Sequence, residues 1–481
     1  MNLEKLFKPS SMAVVGISKK NPLSAGRIIF VKNEFEMNIK VYGIHPDGGE
    51  LEGVTLYTEL DNLPEIPDLL VIAIKAEDTL QYVEECADLH IPAAIIIGGG
   101  FAEIGNEGFK RQEKLEKIAF DNDIAILGPN CIGVYSPPLL DTIFMPTERI
   151  TRPPKGSVAL ISQSGGVLVD QFFHKFNQIN IGVSTAVSIG NRAVVDETML
   201  LEYFSKKDKD TSNIAFYLEG FKQGKARKFL ELAIESEDLV ITYFGGITEQ
   251  GKTATQSHTA SLSGNARILS AALKQHLIIQ PRSENELLTF LKLFDILSHK
   301  KKPFGDNEVI YGRVAILSIS GGHGVICADM LKKYGLSPVQ FTDKEQQEMK
   351  KLTNPVAREI ASFNNPIDLT GSVQDEDIER VLEYLSQIQR IECVILLILP
   401  YAPSISFQIG RRISNVITLH KKPVVCFIPY IAKYGLIIEA LELGNIPVFH
   451  SIKEAVQAVS AMKNRTKISN LKKDNIFWED R

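Results

Sequence analysis

Short apolar runs alternate along this chain with longer segments in which apolar and charged positions recur at helical spacing. This alternation is typical of parallel strands joined by helices, because a parallel sheet is covered on both faces and its strands are almost wholly apolar. One series of such runs occupies residues 1–136, a second residues 155–298 and a third residues 312–463. The pattern predicts an α/β protein of three domains, the first of them a doubly wound parallel sheet.

Two passages of different composition separate the three series. The first, "SPPLLDTIFMPTERITRPPKGS", is rich in proline, and the second, "HKKKPFGDNEVIYGR", is charged and rich in turn-forming residues. Both are typical of connecting segments. The last stretch, residues 464–481, is polar, and we expect it to have no fold of its own.

The second and third series begin with nearly the same sequence. "VALISQSGG" starts at Val158 and "VAILSISGG" starts 156 positions later at Val314, which indicates a duplicated domain. In each copy a buried strand runs through serine and glycine into an amphipathic helix, so backbone N–H groups and the positive helix end face one point. That arrangement suits an anion such as phosphate. An ordinary strand-to-helix turn with a serine cap fits either copy equally well.

Composition narrows the possible functions. The 481 residues include 53 Lys and Arg against 58 Asp and Glu, and the net charge of −5 offers no basic field for nucleic acid. The apolar runs are too short to cross a bilayer and the N-terminus has no apolar signal core, so we expect a cytoplasmic protein without a membrane partner. The five cysteines are interpreted as small buried hydrophobes, rather than as disulfides or zinc ligands.

The loop after the first predicted strand, "VVGISKKNPLSAG", lacks the three spaced glycines of a nicotinamide-binding fingerprint. The second predicted strand is followed by His45, where that fingerprint needs an acid. An NAD-dependent oxidoreductase is therefore disfavoured. The loop remains compatible with another nucleotide, because Gly16 lets the backbone approach closely and Ser18 offers a hydroxyl, although a plain turn fits nearly as well.

Eight segments, taken in order, identify a family. The chain resembles the α subunit of the ADP-forming acyl-CoA synthetases, relatives of succinyl-CoA synthetase, from about residue 6 to about residue 463. The resemblance implies a CoA-binding Rossmann-like domain followed by two flavodoxin-like domains. The segments that carry it are "SMAVVGIS", "GGGFAEIGNEG", "LGPNCIG", "SQSGG", "SIGNRAVVDETMLLEYF", "FYLEGF", "SHTASLSG" and "NNPIDLTG".

Members of that family interconvert an acyl-CoA, phosphate and ADP with the free acid, CoA and ATP, through an acyl phosphate and a phosphohistidine. The resemblance implies that His258 of "SHTASLSG" is the phosphohistidine and that Glu219 of "YLEG" orients it. A neutral imidazole has a ring nitrogen that is free to attack phosphorus, and a carboxylate that accepts from the other ring N–H fixes its tautomer. Without the surrounding segments, a solvated loop histidine and a surface glutamate would be the simpler interpretations.

The resemblance also implies where the substrates are held. Phosphate lies at the helix start of the second domain, with the "GPNC" segment near the same point, and the implied phosphate-binding residues are Ser162, Ser164, Gly165, Gly166 and Asn130. CoA lies against the first domain, and the implied CoA-binding residues are Gly16, Ser18, Lys19 and Lys75.

A partner is expected for the nucleotide. The three domains use up the length of the chain, and no segment clusters acids and lysines in the way that a bound triphosphate requires. ATP or ADP with Mg²⁺ is therefore assigned to a separate ATP-grasp β subunit, and the protein is predicted to be a hetero-oligomer that acts on a small carboxylic acid or its acyl-CoA.

Six positions depart from the family's pattern, and they are Asp47, Lys75, Val194, Met199, Phe244 and Ile247. Of the two in the CoA-binding domain, the acid replaces a basic residue and the lysine replaces a proline, so the lysine is a candidate to restore positive charge for the CoA phosphates. The next two stand where acids are usual, and the last two where a lysine and an arginine are common. These departures leave open an acyl substrate other than acetate, a reduced activity, or a CoA-binding regulatory or scaffold protein with a decayed site.

Overall fold

A computed structural model of the chain describes residues 1–251, 266–298 and 308–473. The chain divides into two compact units, Met1–Glu284 and Asn285–Arg481. The first unit contains two sheets and the second contains one, and all three are built mainly of parallel strands connected by helices. The predicted α/β class is therefore confirmed. No helix within the described residues combines the length and the apolar character needed to cross a membrane.

The first sheet has the strand order β3-β4-β2-β1-β5-β6-β7 and is parallel except for the β3–β4 pair. Its strands are β1 (Ser11–Val15), β2 (Lys40–Ile44), β3 (Gly49–Leu51), β4 (Val54–Tyr57), β5 (Leu69–Ile72), β6 (Ala93–Ile96) and β7 (Ala125–Leu127). The helices beside them are α1 (Glu4–Phe7), α2 (Ala25–Glu36), α3 (Ala76–Asp88) and α4 (Asn106–Asp121), with 3₁₀ turns at Leu60–Asn62 and Ala102–Ile104. Strands β1 and β5 are buried along their whole length because helices cover both faces. The strand order reverses between them, which opens a crevice at their carboxyl ends.

The second sheet has the order β13-β12-β10-β11-β8-β9. Its strands are β8 (Val134–Ser136), β9 (Leu140–Asp141), β10 (Lys155–Ser162), β11 (Val183–Ser188), β12 (Asn213–Leu218) and β13 (Leu239–Phe244). Its helices are a π-helical segment (Val167–Phe173) that continues into α5 (His174–Gln178), then α6 (Glu197–Lys206), α7 (Ala226–Glu235) and α8 (Ala266–Gln275). Strands β11 and β12 lie on opposite sides of β10, so the order reverses again and a second crevice opens at the ends of β10 and β12.

The proline-rich passage between the first two series does more than connect them. Strand β9 and the short loop before it come from this passage, and β8 and β9 form an antiparallel edge of the second sheet. The passage is also held to the first domain, because Asp141 at the end of β9 forms an ion pair with Lys32 of α2 at 2.9 Å. Arg152, later in the same passage, forms a second ion pair with Asp141 at 2.8 Å. Lys32 and Asp141 are both buried. Burial lowers the pKa of Lys32 to about 8, although the Asp141 charge opposes the shift.

A single segment joins the ends of the two sheets. The backbone N–H groups of Asn191, Ala193 and Val195 donate to carbonyls at and beyond the end of β7, at 2.9, 3.0 and 3.1 Å. Residues 191–195 therefore lie along β7 almost as an additional strand. Val194, in the middle of this segment, is 1% exposed and packs in the core of the first sheet.

The second unit contains one flavodoxin-like sheet with the order β15-β14-β17-β18-β19, and β16 also pairs with β14. The strands are β14 (Arg313–Ser318), β15 (Ser337–Pro338), β16 (Ile367–Asp368), β17 (Cys393–Leu397), β18 (Val424–Phe427) and β19 (Val448–Phe449). The helices are α9 (Glu284–Ser298), which begins at the boundary between the units, α10 (Gly321–Leu331), α11 (Asp343–Lys351), α12 (Pro355–Ile360), α13 (Asp375–Gln387), α14 (Ile409–His420), α15 (Gly435–Leu443) and α16 (Ile452–Lys473), with 3₁₀ turns at Lys332–Tyr334 and Ala432–Tyr434.

The five cysteines are buried and free, as predicted. The polar tail from residue 464 was expected to have no fold, but helix α16 continues to Lys473. Thr466 lies on the buried side of that helix, which indicates that packing sustains the helix into the polar sequence.

Candidate active site

The crevice of the second sheet collects most of the residues that the sequence singled out. Ser162 is the last residue of β10 and pairs with Tyr217 of β12, so the loops that follow these two strands start side by side. The loop after β10 carries Ser164, and the loop after β12 carries Glu219. The carboxyl ends of adjacent parallel strands at a reversal of strand order are the usual place for a ligand site in an open α/β sheet.

The serine–glycine loop is shaped by hydrogen bonds among its own residues. Ser162 is fully buried, and its hydroxyl donates to the carbonyl of Ser164 at 2.6 Å. The hydroxyl of Ser164 accepts the N–H of Val167 at 3.3 Å, which caps the helical segment that begins at Gly165. A Cβ at Gly165 would lie 2.5 Å from the side chain of Ile132, so only glycine lets the "GPNCIG" segment pack here. The first N–H groups of a helical segment have no acceptor within the helix, and such a helix start is the kind of place that suits an anion.

Gln163 links the two loops, and the sequence analysis did not single it out. Its backbone N–H donates to the carbonyl of Tyr217 at 2.9 Å, and its side-chain oxygen accepts the N–H of Glu219 at 2.8 Å. The Gln163 side chain is 6% exposed, so these bonds form away from bulk water. The serine–glycine loop and the glutamate are therefore held at a fixed separation.

A buried ion pair supports the loop that carries Glu219. Arg192 donates to the carbonyl of Gly220 at 2.8 Å and to Glu197 at 3.1 Å. Glu197, which is 0% exposed, also accepts the backbone N–H of Lys222 at 2.6 Å. The ammonium of Lys222 returns to the carbonyls of Arg192 and Ala193, both at 2.7 Å. Burial lowers the pKa of Lys222, although nearby carboxylates oppose the shift.

Asn130 belongs to a second cluster, in which three of the quoted segments meet. Asn130 has a left-handed backbone (φ 58°), and its amide donates to the side chain of Asn191 at 3.3 Å. Asn191 in turn donates to Glu103 of the "GGGFAEIG" segment. Burial tends to raise the pKa of Glu103, but the bonds from Asn191 and from the N–H groups of Gly100 and Phe101 outweigh it and lower that pKa. The cluster ties the first sheet's loops to the loop after β11.

The crevice of the first sheet contains the predicted CoA loop. Gly16 has φ 96°, and a Cβ there would lie 2.2 Å from the carbonyl of Ala73, so the turn requires glycine. A Cβ at Gly26, in the first turn of α2, would lie 2.4 Å from the carbonyl of Gly16. The hydroxyl of Ser18 accepts the N–H of Asn21 at 3.0 Å, whereas the hydroxyl of Ser24 is buried with no hydrogen-bond partner among the described residues. A close backbone cradle, a helix start and an unsatisfied hydroxyl fit a phosphorylated ligand such as CoA.

The two lysines implied for CoA binding occupy different edges of this crevice. Lys75 is exposed and directly precedes α3, at the end of β5 beside β1. Lys19 extends towards β3 on the opposite side of β1. Its ammonium lies so close to Gly49 that a Cβ added to this glycine would be 2.9 Å from it. Both are at the carboxyl side of the sheet with Gly16 and Ser18. His258 lies outside the described residues.

Four of the departures from the family's pattern have local explanations: Asp47 and Phe244, described here, and Val194 and Met199, described below. Asp47 is exposed, and its N–H donates to the ring of His45 at 3.1 Å, so its charge is solvated. Phe244 is buried in an aromatic group with Phe221, at 5.3 Å between ring centroids, where a lysine would be desolvated. Ile247 is 40% exposed, and nothing in its surroundings explains the change.

The two positions where acids are usual are now apolar and enclosed. Val194 lies in the core of the first sheet, and Met199 is partly buried against the core shared by the two sheets. A carboxylate at the first of these positions would be costly unless it were paired, because Val194 is 1% exposed and packs among apolar residues.

The first unit combines a doubly wound sheet, whose glycine-dependent turn follows β1, with a second sheet whose serine–glycine turn follows β10, and comparison with known proteins assigns both sheets to families. Residues 10–137 match the family model of a CoA binding domain, and residues 155–294 match that of a succinyl-CoA ligase like flavodoxin domain.

Known relatives match nearly the whole chain. The alpha subunit of the ADP-forming acetate–CoA ligase I of Pyrococcus furiosus is 32% identical over 96% of this chain and 97% of the relative. The ADP-forming acetate–CoA ligase I of Archaeoglobus fulgidus is 30% identical, and the match covers 97% of this chain but 64% of that longer protein. The dinucleotide forming acetyl-coenzyme A synthetase 1 of Ca. Korarchaeum cryptofilum, solved with phosphate and ADP, superposes with a TM-score of 0.85 at 28% identity over 99% of both chains. The chain belongs to the family of ADP-forming acetate–CoA ligase alpha subunits.

Proposed function

We propose that this chain is the α subunit of an ADP-forming acyl-CoA synthetase and that its second sheet carries the phosphoryl-transfer site. The observation that supports this most directly is the link made by Gln163, which sets Glu219 beside the serine–glycine loop at the reversal of strand order. Family membership supports the reaction type, and a helix start beside the loop of Glu219 supports an anion site at this crevice.

The first step joins phosphate to the acyl group. Phosphate is held at the start of the helical segment by the Ser162–Gly166 loop, and CoA lies along the first sheet's crevice with its acyl thioester towards Asn130. A phosphate oxygen attacks the thioester carbonyl, the C–S bond breaks, and the thiolate leaves with the proton that phosphate loses. The products are acyl phosphate and CoA. The N–H groups of the loop stabilise the phosphate charge throughout.

The second step moves the phosphoryl group to His258. One ring nitrogen attacks phosphorus, the P–O bond to the acyl oxygen breaks, and the carboxylate leaves. Glu219 accepts the N–H on the other side of the ring, which fixes the tautomer and stabilises the positive charge that the ring gains. The phosphohistidine then transfers its phosphoryl group to ADP. This transfer yields ATP and regenerates the neutral ring.

The last transfer requires a partner in this proposal. The Pyrococcus furiosus relatives are named as alpha subunits, and the longer Archaeoglobus fulgidus ligase extends well beyond the part that this chain matches. We assign the nucleotide site to an ATP-grasp β subunit that binds ADP or ATP with Mg²⁺, in a cytoplasmic hetero-oligomer. The acyl substrate is a small carboxylic acid.

The test is a half-reaction with the purified full chain. Acyl-CoA and labelled phosphate should release CoA and leave an acid-labile phosphate on the protein, and ATP should appear only after the β subunit and ADP are added. His258→Ala should abolish the labelling, whereas His174→Ala, at an exposed histidine of α5, should leave it intact. Labelling that survives in His258→Ala would refute the assignment. Retained CoA binding without labelling of the wild-type chain would instead support the regulatory alternative.

A further inference from the structure

Three polar side chains from three separate loops form a chain of hydrogen bonds beside the first sheet. The carboxylate of Glu103 accepts from the side-chain amide of Asn191 at 2.5 Å, and the side-chain oxygen of Asn191 accepts from the amide of Asn130 at 3.3 Å. We call these three residues the amide relay. They are far apart in sequence, so only the folded chain brings them together.

The direction of these bonds is set by Glu103, because an ionised carboxylate only accepts hydrogen bonds. One of its oxygens accepts the backbone N–H groups of Gly100 and Phe101, at 2.5 and 3.2 Å, and the other accepts from Asn191. Asn191 must therefore turn its NH₂ group to the acid and its oxygen to Asn130, which in turn donates from its own NH₂ group. A side-chain amide can lie either way round, so the acid selects one of two orientations for both asparagines.

A second carboxylate favours the same direction. Gln112 is 9% exposed, and its NH₂ group donates to Glu116 at 3.0 Å, which turns its oxygen to the NH₂ group of Asn191 at 3.3 Å. The main chain is also held, because the backbone N–H of Asn191 donates to the carbonyl of Pro129 at 2.9 Å. A Cβ at Gly190 would lie 2.3 Å from that carbonyl oxygen, so the two loops meet closely.

The orientation decides what Asn130 can offer to a ligand. This residue is exposed and follows the end of β7, at the carboxyl edge of the first sheet. One N–H of its NH₂ group donates to Asn191, and the other has no acceptor among the described residues. Its oxygen lies on the side of Gly99, where an added Cβ would be 3.3 Å from it. The amide relay therefore leaves one oriented N–H donor available at this edge.

We propose that Glu103 is a positioning residue for thioester cleavage: through Asn191 it holds the available N–H of Asn130 towards the carbonyl oxygen of a bound acyl-CoA. This rests on the proposed function, which places the acyl thioester towards Asn130. Negative charge develops on that carbonyl oxygen when a phosphate oxygen attacks the carbonyl carbon, and an oriented N–H stabilises it. No proton is gained or lost by any member of the amide relay.

The kinetic test uses acetyl-CoA and arsenate with the full chain. Arsenate takes the place of phosphate: its oxygen attacks the thioester carbonyl, the C–S bond breaks, and CoA leaves with the proton that arsenate loses. Water then hydrolyses the acyl arsenate to acetate and arsenate, so CoA release continues without a nucleotide, a partner or a phosphohistidine. We expect Glu103→Gln to lower the maximal rate about tenfold, which corresponds to about 1.4 kcal/mol, without a change in the concentration of acetyl-CoA that gives half that rate. Glu107→Gln, at an exposed acid in the first turn of α4, should match wild type.

An exchange of the acid and the amide separates orientation from general damage. In Glu103→Gln, the new amide keeps its oxygen on the backbone N–H groups and turns its NH₂ group to Asn191, so the amide relay reverses. Asn191→Asp alone sets two carboxylates against each other and should also be slow. In the double variant Glu103→Gln/Asn191→Asp, the new carboxylate accepts from both sides, so Asn130 donates again and most of the rate should return. A wild-type rate in Glu103→Gln, or a double variant slower than both single variants, would overturn the proposal.

A second measurement does not depend on activity. The chain is labelled with ¹⁵N-asparagine, and the side-chain resonances of Asn130 and Asn191 are assigned from their loss in Asn130→Ala and Asn191→Ala. Glu103→Gln should shift the Asn130 side-chain resonances, because it acts on them through Asn191, whereas Glu107→Gln should leave them in place. Unchanged Asn130 resonances in Glu103→Gln would show that the acid does not orient this amide, and the inference would be wrong. A shift in Glu103→Gln, in a protein whose wild type releases no CoA with arsenate, would establish the amide relay and refute the proposed function instead.

Discussion

The buried pair of Arg192 and Glu197 gives the sharpest stability prediction. Glu197→Leu removes the carboxylate that receives Arg192 at 3.1 Å and the N–H of Lys222 at 2.6 Å. Glu197 is 0% exposed and the Arg192 side chain is 7% exposed, so the guanidinium would stay buried with the carbonyl of Gly220 as its one described acceptor. Removing one partner of a buried pair costs about 3–5 kcal/mol, because the remaining charge is uncompensated.

A matched series separates this cost from general damage to helix α6. Glu197→Gln keeps an acceptor for the N–H of Lys222 and should cost less than Glu197→Leu. The double variant Arg192→Met/Glu197→Leu should recover part of the loss, since removing both charges leaves none unpaired. Glu202→Gln, on the same helix in an exposed pair with Lys228 at 3.8 Å, should change stability by about 0.5 kcal/mol or less.

The assay is urea unfolding of the full chain combined with hydrogen exchange. The chain has more than one folding unit, so a single unfolding free energy is not defined, and exchange of peptides covering residues 190–222 reports the local opening. Glu197→Leu should increase exchange in these peptides and leave peptides of the second unit unchanged. The reasoning would be refuted if the double variant were less stable than Glu197→Leu, because the leucine cost would then not come from an unpaired arginine.

Three further outcomes are expected. CoA, but not NAD, should raise the thermal midpoint of the chain, by an amount equivalent to about 2.7 kcal/mol when CoA is present at 100 times its dissociation constant. Gly16→Ala should abolish this effect, because the added Cβ would lie 2.2 Å from the carbonyl oxygen of Ala73. Burial lowers the pKa of Lys32 from an ordinary 10.5 to about 8, so between these pH values the unfolded chain binds more protons than the folded chain. Stability against urea should therefore rise as pH rises through this window, and Lys32→Met should remove the rise. The lowered pKa of Glu103 gives a contribution that is complete above its ordinary pKa and is lost as pH falls through its folded pKa, and Glu103→Gln should flatten the acid limb of hydrogen exchange at residues 99–103.

The sequence predicts the layers of the fold well, because burial on both faces makes a parallel strand visible as an apolar run. Strands such as "LLVI" at Leu69–Ile72 and "CVILL" at Cys393–Leu397 lie where these runs are. The edge pair β8 and β9 is not visible in this way, since these strands are two or three residues long and lie at the proline-rich passage. The continuation of α16 beyond residue 463 depends on packing, which composition does not report.

In the candidate site, residues at strand ends can be predicted from the sequence, whereas a contact between distant segments cannot. Ser162 ends β10, and Ser164 and Glu219 follow the ends of β10 and β12, where the sequence can place them; the structure sets the two loops side by side. Gln163 makes the hydrogen bond between those loops. Its place between two serines in the sequence gives no indication that its side chain reaches the loop after β12. Hydrogen bonds between segments that are tens of residues apart leave no local pattern.

The segment 191–195 is hydrogen-bonded to residues beside both crevices. Its first residue binds the cluster of Asn130 and Glu103 beside the first sheet, and its second residue supports the loop of Glu219 through the carbonyl of Gly220. Between these two ends the segment pairs with carbonyls at and beyond β7, and Val194 packs in the core of the first sheet. Under the proposed function, an acyl-CoA that displaced Asn130 would act first on its bond to Asn191. Val194 lies in the core beside this segment, where an unpaired carboxylate would be costly, and that explains why an apolar residue suits this position in the chain.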